Sequence, residues 1–100
     1  MTNKIIIATG KRKKAVAKAI LKKGNGSVFV NSVFLPNMSP MMYKQRIEEP
    51  ILISGDLAKS IDINVNIKGG GQSGQTEAAR LAIAKGLVEY TGSEELKKAY

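Results

Sequence analysis

Ile61-Asp62-Ile63-Asn64-Val65-Asn66-Ile67-Lys68-Gly69-Gly70-Gly71-Gln72-Ser73-Gly74 sets the fold class of this 100-residue chain. Its first eight residues alternate branched aliphatic and polar side chains, the period of a strand with one buried face. Three glycines then end the strand. From about Ser73 to Tyr90 the period changes. Ala79, Ile83, Gly86, Leu87 and Tyr90 recur at helical spacing and predict an amphipathic helix, which Thr91-Gly92 ends. Ser93 is expected to cap a short last helix, with Glu94 and Glu95 in its first turn and Lys97 and Lys98 near its end, as the helix dipole prefers.

Upstream, Pro36 and Pro40 bracket an irregular loop, and Pro40 suits the first turn of a helix from Met41 to about Ile53. Pro50, inside that span, is expected to kink the helix or make it restart, and Ser54-Gly55-Asp56 is a break. Gly24-Asn25-Gly26 is a turn signal, because Asn and Gly tolerate positive φ, and Ser27-Val28-Phe29-Val30 after it reads as a strand. Lys14 to Lys23 fits two readings. Ala15, Ala17, Ala19 and Leu21 share one face of a strand with Lys14, Lys18 and Lys22 on the other, yet the same lysines are four apart, as on a helix. Alanine favours the helix. The turn and the strand beyond it favour an antiparallel hairpin over residues 14–30 around Asn25-Gly26. The order is two or three strands, helix, strand, helix, helix, in one domain over residues 1–100. That is an α+β fold with helices packed on one face of a small sheet.

The charge is unevenly placed. Residues 1–47 hold ten Lys or Arg and no acid, whereas residues 48–100 hold six basic and eight acidic residues. A net charge of +8 so distributed is the footprint of a polyanionic partner. A membrane surface also attracts basic residues, but it asks for an amphipathic helix with exposed Trp, Phe or Leu, and the chain has no Trp. No apolar run approaches the roughly 20 residues of a membrane helix. Ile5-Ile6-Ile7-Ala8 is too short for a signal-peptide core, so a cytoplasmic protein without membrane contact is expected. With no cysteine and no histidine, disulfides, the usual zinc sites and Cys or His nucleophile–base pairs are excluded. Glu48 and Glu49 are adjacent and point apart, so they form no catalytic carboxylate pair. No catalytic residue, metal, cofactor or small-molecule substrate is expected.

Gly69-Gly70-Gly71-Gln72-Ser73-Gly74 is literally G-x-G-x-x-G between a strand and a helix, as dinucleotide binding requires. Only 26 residues follow Gly74, and they read as helix, which leaves no place for the second parallel strand and its acidic ribose ligand. The segment also falls short of a P-loop, because Gln75 stands where a lysine must reach the terminal phosphates. The physics behind both motifs remains. Glycines admit close approach of another backbone, and a helix N-terminus offers N–H donors and a positive dipole end to a phosphate, a phosphodiester included. The competing reading is a flexible strand-to-helix connection. Gln72, Ser73 and Gln75 weigh against it by adding side-chain donors. Thr9-Gly10-Lys11-Arg12-Lys13-Lys14 is the densest basic cluster. It follows a tight Gly10 and continues at Lys18, Lys22 and Lys23, a stripe that suits a nucleic-acid backbone better than a solvated loop. Arg12 adds bidentate or stacking contacts. Aromatic residues are few, and Phe29 and Tyr90 read as core. This points away from a base-stacking platform and toward backbone and shape recognition of folded RNA. Met38, Met41 and Met42 read as core or loop packing, and Lys85 and Glu89 as a helix ion pair.

Taken together these residues resemble the ninth small-subunit ribosomal protein family. Gly69-Gly70-Gly71-Gln72-Ser73-Gly74-Gln75, Ala78 and Arg80-Leu81-Ala82-Ile83-Ala84-Lys85-Gly86-Leu87 are similar to its signature. Thr9-Gly10-Lys11-Arg12-Lys13 with Ala15, Ala17 and Ala19 is similar to its N-terminal motif. Glu49-Pro50 and the strand beginning Asp62-Ile63-Asn64-Val65 fit its archaeal-type branch. The resemblance covers nearly the whole chain. It implies a mixed four-stranded sheet with helices on one face, in the order strands, helix, strand, helix (ribosomal S-five domain-two-like), and makes Lys14–Lys23 a strand. It further implies a structural constituent of the ribosome in the head of the small subunit, bound to the 3′ domain of the rRNA beside neighbouring head proteins. Lys11, Arg12, Lys13, Lys14, Lys18, Gly69, Gly70, Gly71, Gln72, Ser73, Gln75 and Arg80 are the rRNA contacts implied. Members of that family continue into a long basic tail toward the P-site tRNA anticodon stem. This sequence stops at Tyr100 without one, so a tRNA contact is not carried over. A basic nucleic-acid-binding module outside the ribosome and a nucleotide-binding domain using the Gly-rich loop are the competing functions.

Overall fold

The computed structural model describes residues 5–38 and 41–92. The strands are β1 (Ile5–Arg12), β2 (Ala15–Lys23), β3 (Val28–Val30), β4 (Val33–Phe34) and β5 (Ile61–Lys68). Helix α1 (Met41–Ile53) lies between β4 and β5, and α2 (Gln72–Thr91) follows β5. One mixed sheet has the order β1-β2-β5-β3-β4, so the fold is α+β as expected. The last helix expected from Ser93, and Pro40 at the start of α1, lie outside the described residues.

β5 keeps its alternation in three dimensions. Ile61, Ile63, Val65 and Ile67 are buried, while Asn64, Asn66 and Lys68 are exposed. It is the central strand. β2 pairs with it antiparallel, from Val16↔Lys68 to Lys23↔Ile61, and β3 pairs with it in parallel, from Val28↔Ile63 to Val30↔Val65. Residues 15–23 are thus a strand, as expected, but the hairpin expected between β2 and β3 does not form. The turn at Asn25-Gly26 is present, with Gly26 at φ +87. It carries the chain over the end of β5, across two strand spacings, or about 9.6 Å.

Asp62 clips this turn to β5. Its Oδ1 accepts the N–H of Asn25 at 2.9 Å and of Ser27 at 3.0 Å. Gly24 N–H donates to the Ser60 carbonyl and Ile63 N–H to that of Ser27, both at 2.9 Å. The N–H groups of Asn25 and Ser27 hold the Asp62 carboxyl below the usual carboxylate range, and Lys22, its cross-strand neighbour, adds a smaller pull. A folded pKa below the unfolded one means that this stabilisation is complete above about pH 5 and is lost as pH falls through the folded value. Asp62→Asn is therefore expected to lower stability at neutral pH and to flatten the decline in acid. Urea unfolding at a series of pH values measures both; parallel acid profiles for the two proteins would remove Asp62 from the account.

Two tight hairpins went unrecognised in the sequence. β1 and β2 are joined by Lys13-Lys14, with Arg12 opposite Ala15 and Lys13 at φ 56. β3 and β4 are joined by Asn31-Ser32 at φ 49 and 68, the pair of positive values a type I′ turn requires. Asn31 also prolongs the parallel ladder: its Oδ1 accepts the Ile67 N–H at 2.7 Å and its Nδ2 donates to the Ile67 carbonyl at 3.4 Å. The two-residue β4 is what makes the sheet five-stranded rather than four-stranded.

α2 lies across β1, β2 and β5 through small residues. Ala15, Ala17 and Ala19 of the sheet and Ala78, Ala79 and Ala82 of the helix are buried in one cluster, and Gly86 of the helix faces the Leu21 side chain. Gly10, expected to shape a tight turn, instead sits within β1. A Cβ there would collide with the Ala78 carbonyl and lie 2.6 Å from the Ala82 nitrogen. The alanines of β2 serve this close approach, not helix propensity. α1 packs on α2 and runs to Ile53 without restarting at Pro50. Proline has no N–H for the Arg46 carbonyl; Arg80 Nη1 donates to that carbonyl at 3.3 Å. Met38 packs against the core as expected, but Met41 and Met42 are exposed. Lys85 does not pair with Glu89; its Nζ donates to the Thr9 carbonyl at 3.3 Å, tying α2 to β1.

Candidate nucleic-acid interface

The basic run and the Gly-rich loop, more than fifty residues apart, meet at one end of the sheet. The cause is register. Val16↔Lys68 is the last β2–β5 pair, so the chain leaving β5 runs alongside the turn that enters β2. At Gly69, φ +77, a Cβ would stand 2.5 Å from the Lys14 carbonyl oxygen; at Gly70, φ +70, it would stand 2.9 Å from the Ala15 nitrogen. At Gly74 it would reach the Arg12 carbonyl at 3.4 Å. The left-handed backbone and the close passage both select glycine at 69 and 70.

Gly71 differs from its neighbours. Its φ is −88, and a Cβ there would meet nothing within 4 Å. It is the N-cap of α2. No side chain caps that end, and no acidic residue lies in the first turn. The first-turn N–H groups and the positive dipole end therefore stand uncompensated beside the basic turn. Gln72 and Ser73 are exposed there. Gln75 Nε2 donates back to the Gly69 carbonyl at 3.1 Å and braces the loop.

Lys11, Arg12, Lys13 and Lys14 are all exposed at this end and share it with Gly69–Gly71, Gln72 and Ser73. Lys68, exposed at the base of the loop, belongs to the same cluster; its place as the last residue of the best strand was the signal that could have found it. Lys18 lies on the outer face of the sheet, between Thr9 and Asn66. Arg80 stands apart. Its Nη1 and Nη2 donate to the Glu49 carboxylate at 3.4 and 3.2 Å, so together with the Arg46 carbonyl it braces α1 against α2. Arg46 pairs with Glu77 at 3.3 Å.

Phe29, read as core, is on the outer face and 38% exposed, with its ring centroid 5.3 Å from that of Phe34. Tyr90 is partly buried against the core, as expected. Among the described residues no group of three or more Asp or Glu is placed to hold a metal ion. No described helix is long and apolar enough to cross a membrane.

Comparison with known proteins covers nearly the whole chain. The profile of the family described as Ribosomal protein S9/S16 matches residues 10–100. Small ribosomal subunit protein uS9 of Desulfurococcus amylolyticus is 46% identical over 97 residues, which is 97% of this chain and 69% of that protein. The protein of the same name from Pyrobaculum aerophilum is 44% identical over 99 residues, 99% of this chain and 70% of that one. That of Methanothrix thermoacetophila is 37% identical over 97 residues, 97% of this chain and 74% of the relative.

Proposed function

The chain belongs to the ribosomal protein S9/S16 family, and we propose that it is a structural, non-enzymatic protein of the small ribosomal subunit that holds rRNA through the joined basic turn and Gly-rich loop. On this reading it sits in the head, on the 3′ domain of the rRNA, beside neighbouring head proteins. The observation that carries the proposal is the passage of Gly69 and Gly70 against Lys14 and Ala15, which merges two separate cationic features into one surface.

A phosphodiester strand laid along this surface meets Lys11, Arg12, Lys13, Lys14 and Lys68, each able to neutralise a phosphate and release counterions. Where it crosses the start of α2, the N–H groups near Gln72 and Ser73, with their side-chain donors, receive another phosphate, and the helix dipole favours the charge. Gly71, without a side chain, lets the backbone come close. Lys18 extends the contact onto the outer face, while Gln75 and Arg80 hold the surface in shape from behind. None of this reads base identity. It reads the spacing of phosphates on a folded RNA.

Gly70 and Gly71 separate fold from binding. Gly70→Val sets a branched side chain at positive φ against Ala15, so its expected effect is a lower melting temperature. Gly71→Val fits the fold but stands where the phosphate would lie. It should weaken binding to small-subunit rRNA by about tenfold or more, roughly 1.4 kcal/mol, while lowering the melting temperature less than Gly70→Val does, since only the N-cap preference for glycine is lost. A folded Gly71→Val protein with normal rRNA affinity would reduce the loop to a connection.

A further inference from the structure

We infer that the uncovered face of the sheet docks a neighbouring protein, whose contact surface is an apolar ridge bordered by acidic side chains. The helices cover one face only. On the other, register places Ile7 opposite Ile20, Ile20 opposite Asn64, Asn64 opposite Phe29 and Phe29 opposite Phe34. This row crosses all five strands. Ile7 is 55% exposed, Phe34 40%, and Ile5, next along β1, 58%. A solvent face of a sheet is expected to carry polar side chains at alternate positions. Asn64, Asn66 and Lys68 obey this; Ile5, Ile7, Phe29 and Phe34 do not. Apolar side chains exposed on both sides of Asn64 in one such row mark a contact.

The chemistry of the row chooses the occupant. A nucleic-acid backbone over Ile5, Ile7, Phe29 and Phe34 would lose hydration of its phosphates against apolar side chains, with only Lys18 and Lys22 beside Ile20 to offer it donors. Phe29 and Phe34 lean on each other at 40°, so each ring already has part of one face covered, and no third aromatic side chain joins them among the outward strand positions. A protein side chain fits better: a depression of about 380 Å³ lies between Ile20, Asn64 and Phe29 and runs on to Lys22, Ser27 and Asp62. The borders set the partner's charge. Lys18 and Lys22 flank Ile20 along β2, with Lys18 on the side that borders the rRNA surface and Lys22 on the side away from it. Asp62, the one acidic residue at the outward strand positions, already accepts the Asn25 and Ser27 N–H groups. The row therefore offers apolar contact inside a cationic rim, complementary to an apolar ridge with Asp or Glu beside it.

The inference rests on the ribosomal reading, and its test keeps the two apart. The full chain, with p-benzoylphenylalanine at position 7 or at position 29, is incorporated into small subunits, irradiated, and analysed by mass spectrometry. Both positions are expected to cross-link to a peptide of one small-subunit protein in which apolar residues are flanked by acids. In parallel, Ile7→Asn with Phe29→Asn, which adds no charge beside Lys18, should reduce retention in subunits at least fivefold while the isolated chain keeps the rRNA affinity and salt dependence of the parent. Cross-links to rRNA, no cross-link at either position, or normal retention of the double variant overturns the docking face. A changed rRNA affinity or salt dependence would overturn it as well, by putting this face on the rRNA, whereas a parent chain that does not enter small subunits at all would sink the ribosomal reading itself.

Discussion

Gly10→Val is expected to cost about 3 kcal/mol or more of folding stability, a large share of the roughly 5–15 kcal/mol a domain possesses. The reason is what a Cβ would strike. At Gly10 it meets the Ala78 carbonyl and the Ala82 nitrogen, backbone atoms of α2 that can yield only if the whole helix lifts off the sheet. Lifting α2 would also open its contacts with Ala15, Ala17 and Ala19. Gly86 makes the contrast. A Cβ there meets the end of the Leu21 side chain, which can change rotamer, so Gly86→Ala should be the milder change. Urea denaturation of the three proteins gives the ranking. A Gly10→Val midpoint equal to that of the parent would mean that α2 stands further from β1 than the structure places it.

Replacing Lys11 and Arg12 with Ala and Lys13 with Gly is expected to flatten the log–log salt dependence of rRNA binding by roughly two units, if most of the three meet phosphates. The affinity at low salt should fall by about a hundredfold, near 2.7 kcal/mol. Glycine is chosen at 13 because Lys13 has φ 56, where a side chain is strained. The substitution removes the charge without loosening the β1–β2 turn. An unchanged slope, with circular dichroism intact, would place the rRNA face elsewhere.

The sequence by itself determined those elements whose signal is a repeating pattern within one segment. β5 followed from its alternation, and α2 from its apolar stripe with a C-cap at Gly92, whose φ is 66 and whose N–H donates to the Val88 carbonyl. The period of burial reports a segment's own two faces, and that is a local quantity. The basic run and the Gly-rich loop were likewise visible as composition, and the family as the conjunction of the two with Arg80–Leu87. What lay beyond a local pattern was decided by tertiary structure. Asn25-Gly26 reverses the chain, but nothing in a turn states whether its arms lie one or two strand spacings apart. β5 took the place between them because both of its edges find partners there. Pro50 was read by what it removes from its own helix, whereas the Arg80 donor that meets the Arg46 carbonyl comes from the other helix. Phe29 looked like core because it is aromatic; its exposure depends on which face the helices cover. Gly10 looked like turn chemistry, and its true constraint is a helix nearly seventy residues later in the chain. The site itself is of this second kind: Lys14 and Gly69 are neighbours only because β2 and β5 pair in the register that ends at Val16 and Lys68.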